Sequence, residues 1–186
     1  MRKITIKELQ QAVASHRDED AYKKIFIGFY QPLLHFANSL VKNMESSEEI
    51  VSDVMMNIWE MQEGLDRVID LKIYLYRAVK NRSLNHLTRN QKYTIWDIEN
   101  LDVAMDPSLY SADPENILLN KELKEEIFYT IKILPPKCQM AYKLVREDGL
   151  SYKEVAGIMD ISVKTVDRHL NNALHKLVSS LKVNSN

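Results

Sequence analysis

Residues 150–181 read LSYKEVAGIMDISVKTVDRHLNNALHKLVSSL, and two helix starts lie within them. Ser151 and Glu154 stand in the S-x-x-E relation of a capping box, in which each satisfies the other's free backbone or side-chain donor. A short helix should follow, with Val155, Ala156, Ile158 and Met159 inward. After Asp160-Ile161, Ser162 is placed to cap a longer helix. Its apolar stripe is Val163, Val166, Leu170, Ala173, Leu174, Leu177, Val178 and Leu181, in steps of three and four. A short helix, a tight turn and a longer helix with a polar leading face form a helix-turn-helix, and Ala156 is small enough to let the two helices approach closely. The leading turns present Lys164, Thr165, Asp167, Arg168, Asn171 and Asn172. In this motif the start of the second helix enters the major groove. Arg168 suits guanine, Asn172 adenine and Asp167 the amino group of cytosine, while Lys164 and Lys176 suit phosphates. The plainer alternative is a structural three-helix unit with a solvated polar face, in which Asp167 pairs with Lys164 or Arg168.

Working outward, Gly149 ends a helix that Pro135-Pro136 begins. The same prolines stop an earlier helix, whose start signal is Asp113-Pro114-Glu115. In the N-terminal half a first helix is predicted from Ile4 to about Ser15. A second begins near Asp18, with Pro32 expected to kink it or to start a new helix. Ser46 and Glu49 form another candidate capping box. The helix they introduce has Ile50, Val51, Val54, Met55, Ile58 and Trp59 at helical spacing, and Glu49, Ser52, Asp53, Met56 and Glu60 on the opposite face. A loop, Glu63 to Asp70, leads to a fourth helix from about Leu71 to Asn90. That helix is basic (Lys72, Arg77, Lys80, Arg82, Arg89, with Lys92 just beyond) and carries no acid, but its cations do not share one face.

Low Gly and Pro counts (4 and 5) and scarce period-2 patterning predict an all-α fold. The net charge of −1 is uninformative; its distribution is not. Residues 1–92 carry 14 basic and 12 acidic side chains, and residues 121–186 carry 11 and 8. Between them, residues 93–120 hold six acids and no Lys or Arg. The expected organisation is two small helical domains, 1–92 and 117–186, joined by a flexible acidic linker, 93–116. A single cysteine, Cys138, excludes an intrachain disulfide and a multi-thiolate zinc site. No signal-peptide pattern or apolar run long enough to span a membrane is present, so a cytoplasmic protein without membrane insertion is expected. The five histidines are scattered, with His169 and His175 expected on polar surface. No metalloprotease or P-loop motif occurs, so neither catalysis nor a cofactor is expected.

Five segments together carry a family resemblance. Glu48-Glu49-Ile50-Val51-Ser52-Asp53-Val54-Met55-Met56-Asn57-Ile58-Trp59 resembles the conserved-region-2 helix of the extracytoplasmic function (ECF) group of sigma-70 factors. Tyr74-Leu75-Tyr76-Arg77-Ala78-Val79-Lys80-Asn81 resembles the W-L-Y-R-I-A-x-N segment that follows it there. Ile133-Leu134-Pro135, Gly149 to Ala156 and Ser162 to Val166 resemble the region-4 pattern.

The resemblance implies a bacterial transcription initiation factor that binds core RNA polymerase and promoter DNA and has an anti-sigma partner. Glu49, Ser52, Asp53 and Met56 would meet the clamp coiled coil of the largest polymerase subunit, although Ser52 stands where the family often has Gln. The loop Glu63–Asp70 and the fourth helix would hold the opened −10 element. Tyr74, where the family usually has Trp, would support the opened duplex. Arg77, Lys80 and Arg82 would meet its backbone and Asn81 a base edge; the alternative makes Tyr74 and Tyr76 core aromatics. Lys164, Thr165, Asp167, Arg168, Asn171, Asn172 and Lys176 would read the −35 element, and the linker would thread a basic polymerase channel. Two other functions compete: a one-component regulator with a helical sensor domain, and a helical adaptor that binds no DNA.

Overall fold

Helix-favouring composition and well-placed caps leave every regular element a helix among the residues that the computed structural model describes, 4–89, 103–105 and 117–183. The chain divides into two compact units, Met1–Tyr93 and Thr94–Asn186.

The first unit contains α1 (Ile6–His16), α2 (Glu19–Val41), α3 (Met44–Glu60), a 3-10 helix (Gln62–Arg67) and α4 (Leu71–Arg89). A Thr5–Glu8 capping box opens α1, and Asp18 caps α2 by accepting from the Ala21 amide at 2.9 Å. α3 starts earlier than Ser46–Glu49 predicts. Asn43 caps it instead, accepting from the Ser46 amide at 2.8 Å. Asn is as good a cap as Ser, and Lys42 in the left-handed region turns the chain immediately before it. Of the two outcomes expected at Pro32, a new helix does not start there: α2 runs through it from Glu19 to Val41. Pro32 and the residue four before it, Gly28, are both exposed. Water can therefore reach the Gly28 carbonyl that proline leaves without a donor.

The core of this unit lies where α2 meets α3 and α4. Leu33, Phe36, Ala37 and Leu40 of α2 pack with Val51, Val54, Met55 and Ile58 of α3 and Leu75, Tyr76 and Val79 of α4, all essentially inaccessible. The Phe36 and Tyr76 rings lie 5.2 Å apart. Truncation of either to alanine should cost about 3–5 kcal/mol.

The second unit contains α5 (Ile117–Lys132), α6 (Pro136–Arg146), α7 (Tyr152–Met159) and α8 (Val163–Val183). α8 packs against the other three. Pro136 occupies the first turn of α6, where its missing N–H costs nothing. Gly149, at φ 66°, closes the exit from α6 in a conformation that suits glycine, and the Leu150 amide donates back to the Leu144 carbonyl at 2.9 Å. Met105, Ile131, Leu134, Cys138 and Ala173 form a buried cluster, flanked by Ile127, Phe128, Tyr142 and Leu177.

Two buried polar groups organise this unit. The Gln139 amide donates to the carbonyls of Lys132 (2.9 Å) and Leu134 (2.8 Å) and accepts from the Val103 amide (3.1 Å). Val103 and Met105, in the stretch read from sequence as linker, are thus buried in the second unit. Apart from residues 103–105, that stretch, with the Asp113-Pro114-Glu115 start signal, lies outside the described residues. Lys143 is buried with Glu147 at 2.8 Å and Asp148 at 3.5 Å.

Candidate nucleic-acid and protein interfaces

The helix-turn-helix forms with the predicted capping. Ser151 accepts from the Glu154 amide at 3.3 Å, and the Glu154 carboxylate accepts from the Ser151 amide at 2.7 Å. Asp160, at φ 57°, makes the tight turn, and Ser162 caps α8 by accepting from the Thr165 amide at 3.0 Å. Along α8, Val166, Leu170 and Ala173 are buried while Lys164, Asp167, Arg168, Asn171, Asn172 and Lys176 are exposed. At about 100° per residue these six span roughly half the helix circumference, opposite the buried seam. Lys164, Arg168 and Asn172 follow one another at intervals of four on that exposed side.

Three details differ from the sequence reading. Thr165 is half-buried, and its hydroxyl bonds that of Ser162 at 2.8 Å, so it serves the cap. Asp167 accepts from the Asn171 amide at 3.1 Å rather than pairing with a cation. The apolar stripe is narrower than predicted: Val163, Leu174 and Val178 are exposed, because α5, α6 and α7 cover only the arc through Val166, Leu170 and Ala173.

His169 also differs. It is half-buried, and its Nδ1 lies 3.1 Å from the Cys138 sulfur. Burial, then the cations of Arg168 and Lys137, hold its pKa below the ordinary histidine value. Burial raises the Cys138 thiol, with Arg168 opposing. His175 is exposed, as expected.

In the first unit, Glu49, Ser52, Asp53 and Met56 all lie on the exposed side of α3. Two grooves flank them. One, between α2 and α3, is aromatic: Tyr22, Phe26 and Trp59 line it with Ser52 and Met56. The Tyr22 and Trp59 rings lie 5.0 Å apart, and the Arg17 guanidinium sits 5.2 Å over Trp59. The other, between α3 and α4, is charged, with Glu49, Asp53, Arg82, His86 and Arg89 on its walls. Across it Arg82 donates to Asp53 at 2.7 Å. The structure therefore joins a residue expected to contact polymerase to one expected to contact DNA phosphate.

The two tyrosines of α4 also part company. Tyr76 is a core aromatic. Tyr74 is half-buried; its hydroxyl accepts from the Asn57 amide at 3.1 Å and donates to the Met61 sulfur at 3.3 Å. Arg77 and Asn81 are exposed, and Lys80 is half-buried.

Sequence reading missed Gln10. It is buried on α1, and its amide nitrogen donates to the carbonyls of Leu65 and Val68, each at 2.7 Å. The available signal was a polar residue at a core phase of the helix, three and four positions before the buried Val13 and Ala14. Beside these carbonyls Ile69 is 95% exposed. Asp70 then caps α4 through the Ile73 amide at 3.0 Å.

Among the described residues no group of three or more metal-ligating side chains comes together, and no helix is long and apolar enough to cross a membrane.

Comparison with known proteins matches residues 19–93 to sigma-70 region 2 and residues 124–177 to sigma-70, region 4. The chain is 30% identical over 157 residues to the ECF RNA polymerase sigma-E factor of Salmonella typhimurium (strain LT2), covering 80% of each protein. It is 36% identical over 98 residues to the sigma-E factor of Escherichia coli (strain K12), covering 50% of this chain and 51% of that one. Among solved structures, CnrH in complex with the cytosolic domain of CnrY superposes with a TM-score of 0.62 at 18% identity, covering 95% of this chain and 97% of CnrH. The sigma factor RpoE of Bartonella quintana, in complex with the anti-sigma factor NepR, gives 0.60 at 21%, covering 89% and 99%. At these identities the structural likeness establishes a shared fold.

Proposed function

Because the chain belongs to the ECF group of the sigma-70 family of RNA polymerase sigma factors, we propose that its two units divide promoter recognition between them while both are seated on core RNA polymerase. The outer face of α3, with Glu49, Ser52, Asp53 and Met56, binds the polymerase clamp; its acids suit a basic partner surface. The segment Glu63–Asp70 and α4 hold the opened −10 element, with Arg77, Lys80 and Asn81 near the single strand and Tyr74 as an aromatic support. Arg82 joins them only when its bond to Asp53 gives way. The exposed half of α8 reads the −35 element in the major groove, Arg168 and Asn172 at base edges and Lys164 and Lys176 at phosphates. Thr165 assists through the cap, and the Asp167–Asn171 pair stands at the margin of this face.

One observation carries this reading: Lys164, Arg168 and Asn172 share the exposed side of a helix whose opposite seam is fully packed. The chain supplies no chemistry of its own; it positions DNA for the polymerase. It acts in the cytoplasm, and an anti-sigma partner occludes the same surfaces, as NepR and CnrY are bound by the structural relatives.

In vitro transcription with core polymerase and a library of genomic fragments tests the assignment. Discrete run-off products should require both the chain and the core enzyme. Alone, the chain should shift promoter fragments weakly, since its net charge is −1 and DNA affinity scales with cations brought to phosphates. Failure to associate with core polymerase would overturn the proposal.

A further inference from the structure

The loop between α3 and α4 is fixed from both sides. On one side the buried Gln10 donates to the carbonyls of Leu65 and Val68, each at 2.7 Å. The Leu65 carbonyl also receives the Val68 amide at 3.1 Å, and the Leu65 side chain is inaccessible. On the other side Asp70 is held as the cap of α4. Ile69, between the two pins, has 95% of its surface in solvent. An apolar side chain gains nothing from water, so a loop built to hold it out is suited to an apolar or π surface that arrives later. The helix that supplies the pin, α1, lies outside the segment matched to sigma-70 region 2, which begins at residue 19.

We infer that Gln10 is a positioning residue for promoter opening: through its two hydrogen bonds α1 sets the loop 65–70 so that Ile69 meets an unstacked base of the opened strand. The inference rests on the reading of this loop as part of the −10 site. The unpaired base offers the flat apolar face that duplex DNA conceals. Gln10 touches no DNA itself.

The test uses the full chain with core polymerase and a promoter fragment recovered from the run-off library. Gln10→Met keeps side-chain length and apolar packing and removes the amide that makes the two hydrogen bonds. Val68 is half-buried, so water can replace the lost partner. The amount of chain needed to half-saturate core polymerase should be unchanged. The maximal yield of permanganate-reactive thymines in the opened region should fall roughly tenfold, the equilibrium effect of losing hydrogen bonds of ordinary strength. A merely structural role would move the first quantity; an unchanged maximal yield overturns the inference. Ile69→Asp separates the two levels. If Ile69→Asp opens DNA as wild type does, the reading of the loop fails. If it impairs opening and Gln10→Met does not, only the role of Gln10 fails. Amide exchange in the wild-type chain gives a measurement independent of variant folding. The Val68 amide should exchange slowly, and exchange at the rate of an unstructured peptide overturns the pinning.

Discussion

In the second unit, Thr165 of the α8 cap apart, the residues that hold the fold and the residues offered to DNA are different sets; in the first unit they overlap. Val166, Leu170 and Ala173 pack α8 while Lys164, Arg168 and Asn172 project from its other side. By contrast, Tyr74 is a candidate DNA support that also bonds Asn57 and Met61, and the candidate polymerase contact Asp53 is bonded to the candidate phosphate contact Arg82. A helix laid into a groove needs only a stable back. A surface that holds separated strands is built across several elements, so its side chains also bind those elements together. Substitutions in the second unit should therefore change stability or recognition, and substitutions in the first should change both.

The largest effect is expected at Lys143, whose side chain is 4% exposed between Glu147 (2%) and Asp148 (8%). Lys143→Met leaves two buried acids without their cation and should destabilise the second unit by about 3–5 kcal/mol, measured by chemical denaturation followed by circular dichroism. A loss below about 1 kcal/mol would mean that solvent reaches the cluster, as it does at surface pairs. Next is Arg168→Ala. It should leave thermal stability within about 0.5 kcal/mol of wild type and weaken −35 recognition by about 1–3 kcal/mol, read as promoter competition in the polymerase-bound state. A fall in stability as large as the fall in recognition would erase the contrast between the units.

Tyr74→Ala removes both the ring and the hydroxyl that Asn57 donates to. It should cost at least about 1 kcal/mol of stability and slow strand opening in the same variant. An effect on only one of the two would give Tyr74 a single role. Asp53→Asn should cost under about 1 kcal/mol, because the pair is half-exposed and screened. It should nevertheless weaken polymerase association while strengthening phosphate contact by the released Arg82, seen as a steeper salt dependence of promoter binding.

The smallest effect is a pH dependence at His169. Its folded-state pKa is depressed by burial first and by Arg168 and Lys137 next, so the unfolded chain takes up the proton more readily. The second unit should hold its full stability above about pH 6.5 and lose some as pH falls below it. His169→Gln should flatten that decline in denaturation measurements between about pH 7 and 5; an equal slope in both proteins would remove His169 as its source.

The same contrast governs what the sequence disclosed. The helix-turn-helix was legible in its boundaries, caps and central seam because a 3.6-residue period separates a packing face from a reading face within one segment, while Thr165, His169 and the edge of the stripe were not. The two capping residues, Ser151 and Ser162, act over three positions. The Pro135-Pro136 boundary was equally local. What escaped depends on distance or on solvent. Gln10 meets Leu65 and Val68, 55 and 58 positions away. Arg82 meets Asp53 across 29. No local rule pairs them. Ser46 was the expected cap of α3, but the left-handed turn at Lys42 starts the helix three residues earlier, with Asn43 as its cap. Whether Pro32 breaks α2 depends on water reaching Gly28, and the width of the stripe on α8 depends on how much of it its neighbours cover. The residues expected on the outer faces of α3 and α8 are exposed, Thr165 excepted, but the ties of Tyr74 and Arg82 to neighbouring helices could only come from the assembled unit.

The contact between Cys138 and His169 has a practical consequence. Cys138 is the sole thiol in 186 residues, 3% exposed, and its protonated form is favoured by burial. A sulfhydryl reagent can reach it only when the packing around it opens, as when α8, which carries Ala173 and His169 against it, swings away from α6. The speed at which the untouched wild-type chain is labelled is therefore a built-in clock for that breathing, and anything that clamps α8, whether DNA or an inhibitor, should make the clock run slow.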